Sequence, residues 1–205
     1  MKIYDSQFSP SCRKVRAVAF ELDLRPQYIP VDLFGGGQRL PSFLALNRNA
    51  LVPVLVDGDL VLWESNAILN YLAHGTRLLP TGRRERAEVD RWNCWQLAHI
   101  GPAVFKVAFE RYLKSRIGKG PADEAVVAEG MAEFARLVGV LEEGIGDREY
   151  LAGQLSVADF AMAPMFALGG MVGLETKAFP RVDAWLQRVL SRPSMKRAIE
   201  ESGAS

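Results

Sequence analysis

Two adjacent polar residues, Glu64 and Ser65, stand between a predicted strand and a predicted helix, where their side chains can bind a ligand. A carboxylate at Glu64 can hold an ammonium group. Ser65, as the N-cap of the helix, can hold a carboxylate together with the free N–H groups of the first helical turn. Upstream, Pro53 follows Val52, and a neighbouring backbone group can pair with a ligand instead of the sheet. A ligand with an amino-acid head and a peptide-like body satisfies all three features.

Local patterns predict the elements that position these groups. The run VPVLV ends at Asp57-Gly58, a dipeptide typical of two-residue β-hairpin turns, and LVLW follows as the return strand. Apolar residues then recur at helical spacing after Ser65. The stretch 47–72 is therefore predicted to form a strand, a turn, a second strand and a helix.

The residues before this stretch predict the remainder of an α/β domain. The predicted elements are a strand at 1–4, a helix at 11–24, a strand at 27–32 and a short helix at 41–46. The order strand, helix, strand, helix, strand, strand, helix is typical of a thioredoxin-like domain, with helices packed on a sheet. We assign this domain to residues 1–75.

The second part of the chain predicts helices only. Residues 76–83 form a basic linker with glycine and proline, and residues 84–205 form an all-helical domain. Its predicted helices span 84–116 with a bend at Gly101-Pro102, 122–144, a segment from Ser156, and a segment from Pro180 that ends at Arg192-Pro193. The predicted fold class is an α/β thioredoxin-like N-terminal domain plus an all-α C-terminal helical bundle.

Composition excludes several classes of protein. Of the 205 residues 49% are apolar, but no apolar run approaches the ~20 residues of a membrane span, and the first residues lack the apolar block of a signal peptide. The formal charge of +1 with interspersed signs predicts no nucleic-acid partner. Cys12, Cys94, His74 and His99 are scattered, which predicts neither a disulfide framework nor a metal site. A cytoplasmic protein without metal or membrane partner is expected.

Three segments, in this order and spacing, resemble the cytosolic glutathione S-transferase superfamily over nearly the whole chain. The first is Val52-Pro53 followed by Glu64-Ser65. The second is YLAGQLSVADF, in which Ser156 and Asp159 have the spacing of a capping box, and the third is FPRVDAWLQRVLSRPS. The resemblance is to bacterial-type, serine-class members similar to the theta, zeta and beta classes. It implies the glutathione transferase fold, glutathione as co-substrate, a cis Val52–Pro53 bond beside the cysteinyl part of glutathione, and a homodimer.

The resemblance places the group that ionises the sulfur of glutathione in the loop FSPSCRKV, before the first helix. Ser9 matches the catalytic serine. Ser11 is a second candidate, or else the cap of the helix. Tyr4 lies too early in the chain for the tyrosine-type classes. Cys12 occupies the second cysteine position of a Cys-Pro-x-Cys frame whose first cysteine is serine, and packing as a small buried residue is favoured over a redox role.

The resemblance also assigns the remaining contacts. Gln38 or Arg39 would reach the glycine carboxylate of glutathione, and Leu51 departs from the polar or basic residue that many relatives carry there. The acceptor pocket is expected between the two domains. An aromatic stripe at helical spacing fits a buried core as well as a pocket. The candidate pocket residues are Phe8, Trp92, Trp95, His99, Phe105, Phe109 and Tyr112.

The sequence thus predicts a glutathione transferase that binds reduced glutathione, stabilises its thiolate and conjugates it to a small apolar electrophile, as in detoxification. One alternative is a non-catalytic binding or assembly module with the same fold. Another is a glutathione-dependent isomerase, reductase or dehalogenase. Ser9 favours the enzyme, while the unusual Leu51 leaves the binding module open.

Overall fold

The computed structural model describes residues 1–200, and the chain divides into two compact units. The first unit comprises residues 1–79 together with the segment that begins at Ser191, and the second is Pro80–Leu190. The first unit contains a four-stranded sheet with helices, and helices build the second. The predicted fold class, α/β followed by all-α, is confirmed.

The sheet of the first unit has the strand order β2-β1-β3-β4. β1 runs parallel to β2 and antiparallel to β3, and β3 runs antiparallel to β4. Tyr4 lies opposite Val54, which in turn lies opposite Trp63. The carboxyl ends of β1 and β4 and the amino end of β3 therefore meet at one end of the sheet. The strands are β1 (Lys2–Asp5), β2 (Gln27–Pro30), β3 (Val54–Asp57) and β4 (Leu60–Trp63).

The hairpin turn between β3 and β4 lies one residue later than predicted. Asp57 pairs with Leu60, so the two turn residues are Gly58 and Asp59 rather than Asp57 and Gly58. Gly58 has a φ of 61°, which glycine adopts without the steric cost that a Cβ would bring.

The first unit contains three helices before residue 79. They are α1 (Pro10–Glu21), α2 (Pro41–Leu44) and α3 (Ser65–Leu72), and α1 packs against α3. The sequence predicted that α1 continues to residue 24. It ends earlier because Asp23 adopts a φ of 52°, and the N–H of Leu24 donates to the carbonyl of Ala19. This Schellman-type arrangement terminates the helix.

The last described helix belongs to the first unit and is attached to α1 through Glu21. The carboxylate of Glu21 accepts hydrogen bonds of 2.6 Å from Arg192, Ser194 and Arg77. Burial alone would raise the pKa of Glu21, but these hydrogen bonds outweigh it and lower the pKa.

The sequence analysis assigned all of residues 84–205 to the helical domain. The Glu21–Arg192 contact spans 171 residues, and no local pattern signals it.

Helices from Arg83 to Leu190 build the second unit. They are α4 (Arg83–Trp95), α5 (Gly101–Ala108), α6 (Lys114–Arg116), α7 (Glu124–Ile145), α8 (Val157–Met171) and α9 (Pro180–Leu190). The helix from Pro180 ends just before Arg192-Pro193, in agreement with the prediction, but the sequence did not predict the further helix α10 (Pro193–Glu200), of which Pro193 is the first residue. Proline fits the first helical position because its missing N–H would have no intrahelical acceptor there.

Two π-helical turns connect α4, α5 and α6 into the single long helix predicted at 84–116. They span Gln96–Ile100 and Phe109–Leu113. The predicted interruption at Gly101-Pro102 takes the form of the first π turn. A Cβ on Gly101 would lie 2.7 Å from the carbonyl oxygen of Gln96, and Pro102 has no N–H to donate. A residue without a Cβ at position 101 and one without an N–H at position 102 therefore fit this local change of helical pitch.

The predicted capping box at the start of α8 is confirmed, and it extends into a buried network. The carboxylate of Asp159 accepts hydrogen bonds from the backbone N–H of Ser156 at 2.9 Å and of Leu151 at 3.0 Å. It also accepts one from the indole N–H of Trp185 at 2.8 Å. Burial raises the pKa of Asp159, and these hydrogen bonds oppose that effect. Asp159 therefore ties the start of α8 to α9 and to the preceding loop.

No helix within residues 1–200 combines the length and the apolar character needed to cross a lipid bilayer.

Candidate active site at one end of the sheet

The topology of the sheet brings the main predicted site segments to one end. The loop with Ser9 follows the carboxyl end of β1, Pro53 precedes the amino end of β3, and Glu64 and Ser65 follow the carboxyl end of β4. Because β1, β3 and β4 are neighbours in the sheet, these segments lie next to one another. This end of the first unit is the candidate site.

Ser9 is the N-cap residue of α1. Its backbone is extended, with φ −93° and ψ 119°, and its Oγ accepts the backbone N–H of Cys12 at 3.3 Å. A serine hydroxyl offers one donor and two acceptor positions, so an oxygen engaged in this way keeps an O–H that can donate to a ligand. The amino end of a helix also favours negative charge. Ser9 can therefore stabilise an anion placed at this helix start.

Ser11 and Cys12 lie inside α1 rather than at its cap. Ser11 follows Pro10 in the first turn, so the structure assigns the capping role to Ser9 and not to Ser11. Cys12 is fully buried, and its Sγ accepts the backbone N–H of Ser6 at 3.4 Å. Burial, reinforced by the charge of Asp5, raises the pKa of the Cys12 thiol. Cys12 therefore stays a protonated packing residue instead of a reactive thiolate.

The Val52–Pro53 peptide bond is cis, as the resemblance implied. The loop before it is held by Asn47, which is 2% exposed and donates from Nδ2 to the carbonyl of Leu51 at 2.8 Å. The side chain of Leu51 is 62% exposed. The carbonyl of Leu51 is thus used within the protein, and its apolar side chain lies in solvent.

Glu64, not Ser65, occupies the N-cap position of α3, and this corrects the sequence prediction. The first helical hydrogen bond runs from the N–H of Ile68 to the carbonyl of Glu64, so Ser65 is the first residue inside the helix. Glu64 has a φ of 69°, a region that costs a non-glycine residue on the order of 1–3 kcal/mol and that is concentrated at functional sites. Its side chain is exposed, while Ser65 is 7% exposed. The exposed carboxylate and the start of α3 are therefore adjacent.

Gln38 and Arg39 lie in the 3-10 turn Gly37–Arg39, just before α2. The amide nitrogen of Gln38 donates to the carbonyl of Leu33 at 3.2 Å, which ties this side chain to its own loop. Arg39 is exposed. Of the two candidates, Arg39 is the more exposed and the only one that carries a positive charge for a carboxylate of the ligand.

The aromatic candidates divide into core and surface residues. Trp92 is 3% exposed and donates from its indole N–H to the carbonyl of Leu151 at 2.9 Å, so it belongs to the core of the second unit. Phe8, beside Ser9, is 51% exposed and makes an edge contact with Phe34 at 5.2 Å between ring centroids. The other candidates are partly or largely accessible and lie on or near the two π turns: Trp95, His99, Phe105, Phe109 and Tyr112.

Residues 1–200 bring together no group of three or more His, Cys, Asp or Glu side chains suited to hold a metal ion. The polar groups at the candidate site are instead hydroxyl, carboxylate, guanidinium and helix-start N–H groups. Such groups bind a charged organic ligand through hydrogen bonds.

Comparison with known proteins shows what this architecture is similar to. Models of the N-terminal and C-terminal domains of glutathione S-transferases match residues 3–77 and 100–193. A glutathione S-transferase of Hyoscyamus muticus is 32% identical over 98% of this chain and 98% of that protein. Glutathione S-transferase I from maize, solved with an atrazine glutathione conjugate, gives a TM-score of 0.90 at 27% identity, covering 100% of this chain and 98% of that one.

A glutathione transferase from Burkholderia graminis, solved with two glutathione molecules bound per subunit, is 30% identical with a TM-score of 0.86. The alignment covers 97% of this chain and 87% of that one.

The fold and the candidate site define a protein with a thioredoxin-like domain and an all-helical domain, with a cluster of polar groups at one end of its sheet. With matches to both family domains and a relative aligned over nearly its full length, the chain belongs to the glutathione S-transferase family. The bacterial-type, serine-class subtype stays a prediction, since the similar proteins come from plants as well as bacteria.

Two buried polar residues next to the candidate site were missed from the sequence. Asn47 holds the carbonyl of Leu51, and Lys14 is buried within α1. Lys14 did leave a signal, because it lies one helical turn before Val18 on the apolar face of α1. A charged residue on a buried face is an exception that calls for a specific partner.

Proposed function

We propose that the protein is a glutathione transferase of the serine type, in which Ser9 holds the sulfur of reduced glutathione as a thiolate. The observation that carries this proposal is the position of Ser9 at the start of α1, with its Oγ engaged by the N–H of Cys12. Its O–H is therefore a donor for the thiolate. The glutathione S-transferases among its relatives support the same chemistry.

Hydrogen-bond energies are sufficient for this role. A free thiol has a pKa of ~8.5, and lowering that by about 2 units requires roughly 2.7 kcal/mol of preferential thiolate stabilisation. One hydrogen bond to a charged acceptor contributes ~1.5–3 kcal/mol, and a helix amino terminus adds ~0.3–1 kcal/mol. Ser9 and the start of α1 can supply this free energy without a general base.

The peptide part of glutathione is assigned to the neighbouring segments. Glu64 holds the ammonium of the γ-glutamyl head, and the hydroxyl of Ser65 with the first N–H groups of α3 holds its carboxylate. The backbone of Val52, before Pro53, pairs with the cysteinyl part. Arg39 binds the glycine carboxylate, since its guanidinium is exposed.

The second substrate is an apolar electrophile. On the second unit, Phe105 is 52% exposed, and Phe109 lies one turn further along the same helix with 6.2 Å between the ring centroids. Exposed aromatic pairs of this kind offer apolar contact area to a small ligand. We assign the acceptor-binding surface of this unit to these two residues together with Trp95, His99 and Tyr112.

A substitution at Glu64 tests the head-group site. Glu64→Ala is expected to weaken glutathione binding by about 10–150-fold, because a charge-assisted hydrogen bond contributes ~1.5–3 kcal/mol. Calorimetric titration of glutathione measures the dissociation constant. Glu200→Ala, an exposed carboxylate on α10, is the matched control and should leave the affinity unchanged. Equal affinities for the two variants would remove Glu64 from the site.

The protein is also proposed to be a homodimer. β4 is an edge strand of the sheet, and its apolar residues Leu60, Val61 and Trp63 are 37–44% exposed, a feature that a second copy would cover. Sedimentation equilibrium at micromolar concentration is expected to give about twice the chain mass of 22.7 kDa. A species at the chain mass throughout the concentration range would contradict the dimer.

A cytoplasmic location is proposed on the basis of cysteine chemistry. Cys12 and Cys94 are both free thiols, and Cys94 is exposed. Exposed free thiols persist in the reducing cytoplasm, whereas oxidising compartments favour disulfides.

A further inference from the structure

Lys14 is a lysine in the interior of the first unit, on the helix whose amino end carries Ser9. Its side chain is 1% exposed, whereas lysines normally keep their ammonium group in water. Removing an ammonium from water is costly unless it is paired and hydrogen-bonded. The burial of Lys14 therefore implies a specific role for its charge.

Lys14 connects α1 to the start of α3. Its Nζ donates to Oδ1 of Asn66 at 2.6 Å, across 52 residues of sequence. Asn66 is 7% exposed and directly follows Ser65. The carboxylate of Glu64 is the charge that most favours the protonated form of Lys14. Lys14 thus lies beneath the segment assigned to the amino-acid head of glutathione.

Several other charged groups lie around α1. Arg13, next to Lys14, has a pKa lowered by burial and by the charge of Arg16. On β1, Asp5 pairs with Arg16. In the α10 segment, Arg192 pairs with Glu21, and Arg197 lies over the ring of Phe20 at 4.0 Å. On α1 itself, the Cys12 thiol has a raised pKa and is uncharged at neutral pH. Among the charges that favour the ammonium of Lys14, Glu64 has the largest effect, and Asn66 at the start of α3 accepts its hydrogen bond.

We propose that Lys14 is a positioning residue of the glutathione site, whose ammonium holds Asn66 by a hydrogen bond and acts on Glu64 through its charge, so that the start of α3 accepts the γ-glutamyl head. This inference rests on the proposed function. The ligand charge nearest to Asn66 is the head carboxylate held at Ser65, so a protonated Lys14 favours binding of the ligand.

The titration of Lys14 gives this role a pH dependence. Burial lowers the pKa of Lys14 to about 7, against an opposing effect of Glu64. The ammonium is therefore present below about pH 7 and is lost as the pH rises through that value. The contribution of Lys14 to ligand affinity should be full in mild acid and should disappear in mild alkali.

The test uses S-methylglutathione, which has the peptide contacts of glutathione but no thiol to ionise. Lys14→Met is expected to weaken its binding roughly tenfold at pH 6, a magnitude typical of one nearby charge in a partly screened site. At pH 8 the dissociation constant of Lys14→Met should exceed that of the wild type by about twofold or less. The kcat at saturating glutathione should stay within about threefold, since Ser9 is untouched.

Lys196→Met removes an exposed lysine from α10 and is the matched control, with binding like the wild type at both pH values. A constant ratio between pH 6 and pH 8, or a loss confined to kcat, would overturn the positioning role. Absence of S-methylglutathione binding by the wild type would overturn the proposed function as well, so the two failures are distinguishable.

Asn66→Asp provides a second test that keeps Lys14 in place. A carboxylate at the position of the amide oxygen favours the ammonium, so the pH at which the affinity ratio declines should rise by about one unit or more. The affinity ratio here compares the Asn66→Asp variant with the double variant that carries both Lys14→Met and Asn66→Asp. Both proteins contain the added negative charge, so its direct effect on the ligand cancels. An unshifted pH dependence would show that Lys14 does not act through Asn66.

Discussion

Ser9→Ala is expected to lower kcat/KM for the conjugation of glutathione to chlorodinitrobenzene by about 10–150-fold at neutral pH. The variant loses one hydrogen bond to the thiolate, worth ~1.5–3 kcal/mol. The pKa of bound glutathione should rise by about 1–2 units, so the rate should recover as the pH is raised. Thiolate absorbance and the pH–rate profile measure the two effects, while glutathione affinity should remain nearly intact.

Two controls separate this chemistry from helix capping. Ser9→Ala also removes the N-cap of α1, which costs about 0.5–2 kcal/mol of stability. Ser9→Asp retains a capping acceptor but places a negative charge beside the thiolate, so its activity should fall further. Ser11→Ala should retain activity, because Ser11 lies inside the first turn of α1. Unaltered thiol pKa in Ser9→Ala, or loss of activity in Ser11→Ala, would refute the assignment of Ser9.

Asp159→Ala is expected to reduce the free energy of unfolding by about 3–6 kcal/mol. The substitution leaves the N–H groups of Leu151, Ser156 and Trp185 without their acceptor, and all three residues are at most 2% exposed. Each unsatisfied buried donor costs ~1–3 kcal/mol, and typical domains are stable by only ~5–15 kcal/mol. Urea unfolding followed by tryptophan fluorescence measures the loss.

The control for Asp159 is Asp147→Ala. Asp147 is fully exposed, and solvent screens its ion pair with Arg181 at 3.6 Å, so this pair contributes little to stability. The free energy of unfolding of the Asp147→Ala variant should therefore be close to that of the wild type. A loss below about 1 kcal/mol for Asp159→Ala would show that water replaces the carboxylate and that the network does not hold α8 against α9.

Local patterns were sufficient to predict the order of the strands and helices as far as α9, but they did not predict α10. The hairpin signal at Asp57-Gly58, which was correct to within one residue, and the capping spacing of Ser156 and Asp159 each depend on residues a few positions apart, so the sequence displays them directly. The adjacent residues Glu64 and Ser65 were likewise recognisable from the sequence as a polar group at the start of a helix. The residue that caps α3 was not, because Glu64 adopts a positive φ that its side chain does not predict.

The features that only the tertiary structure decided depend on partners distant in sequence. Lys14 meets Asn66 across 52 residues, and Glu21 meets Arg192 across 171. A helical periodicity shows which face of α1 is apolar, but it carries no information on which segment covers that face. Whether an ion pair or an ammonium group is buried depends on the residues that pack around it. The position of the Lys14 ammonium group is therefore a property of the folded unit and of no single segment.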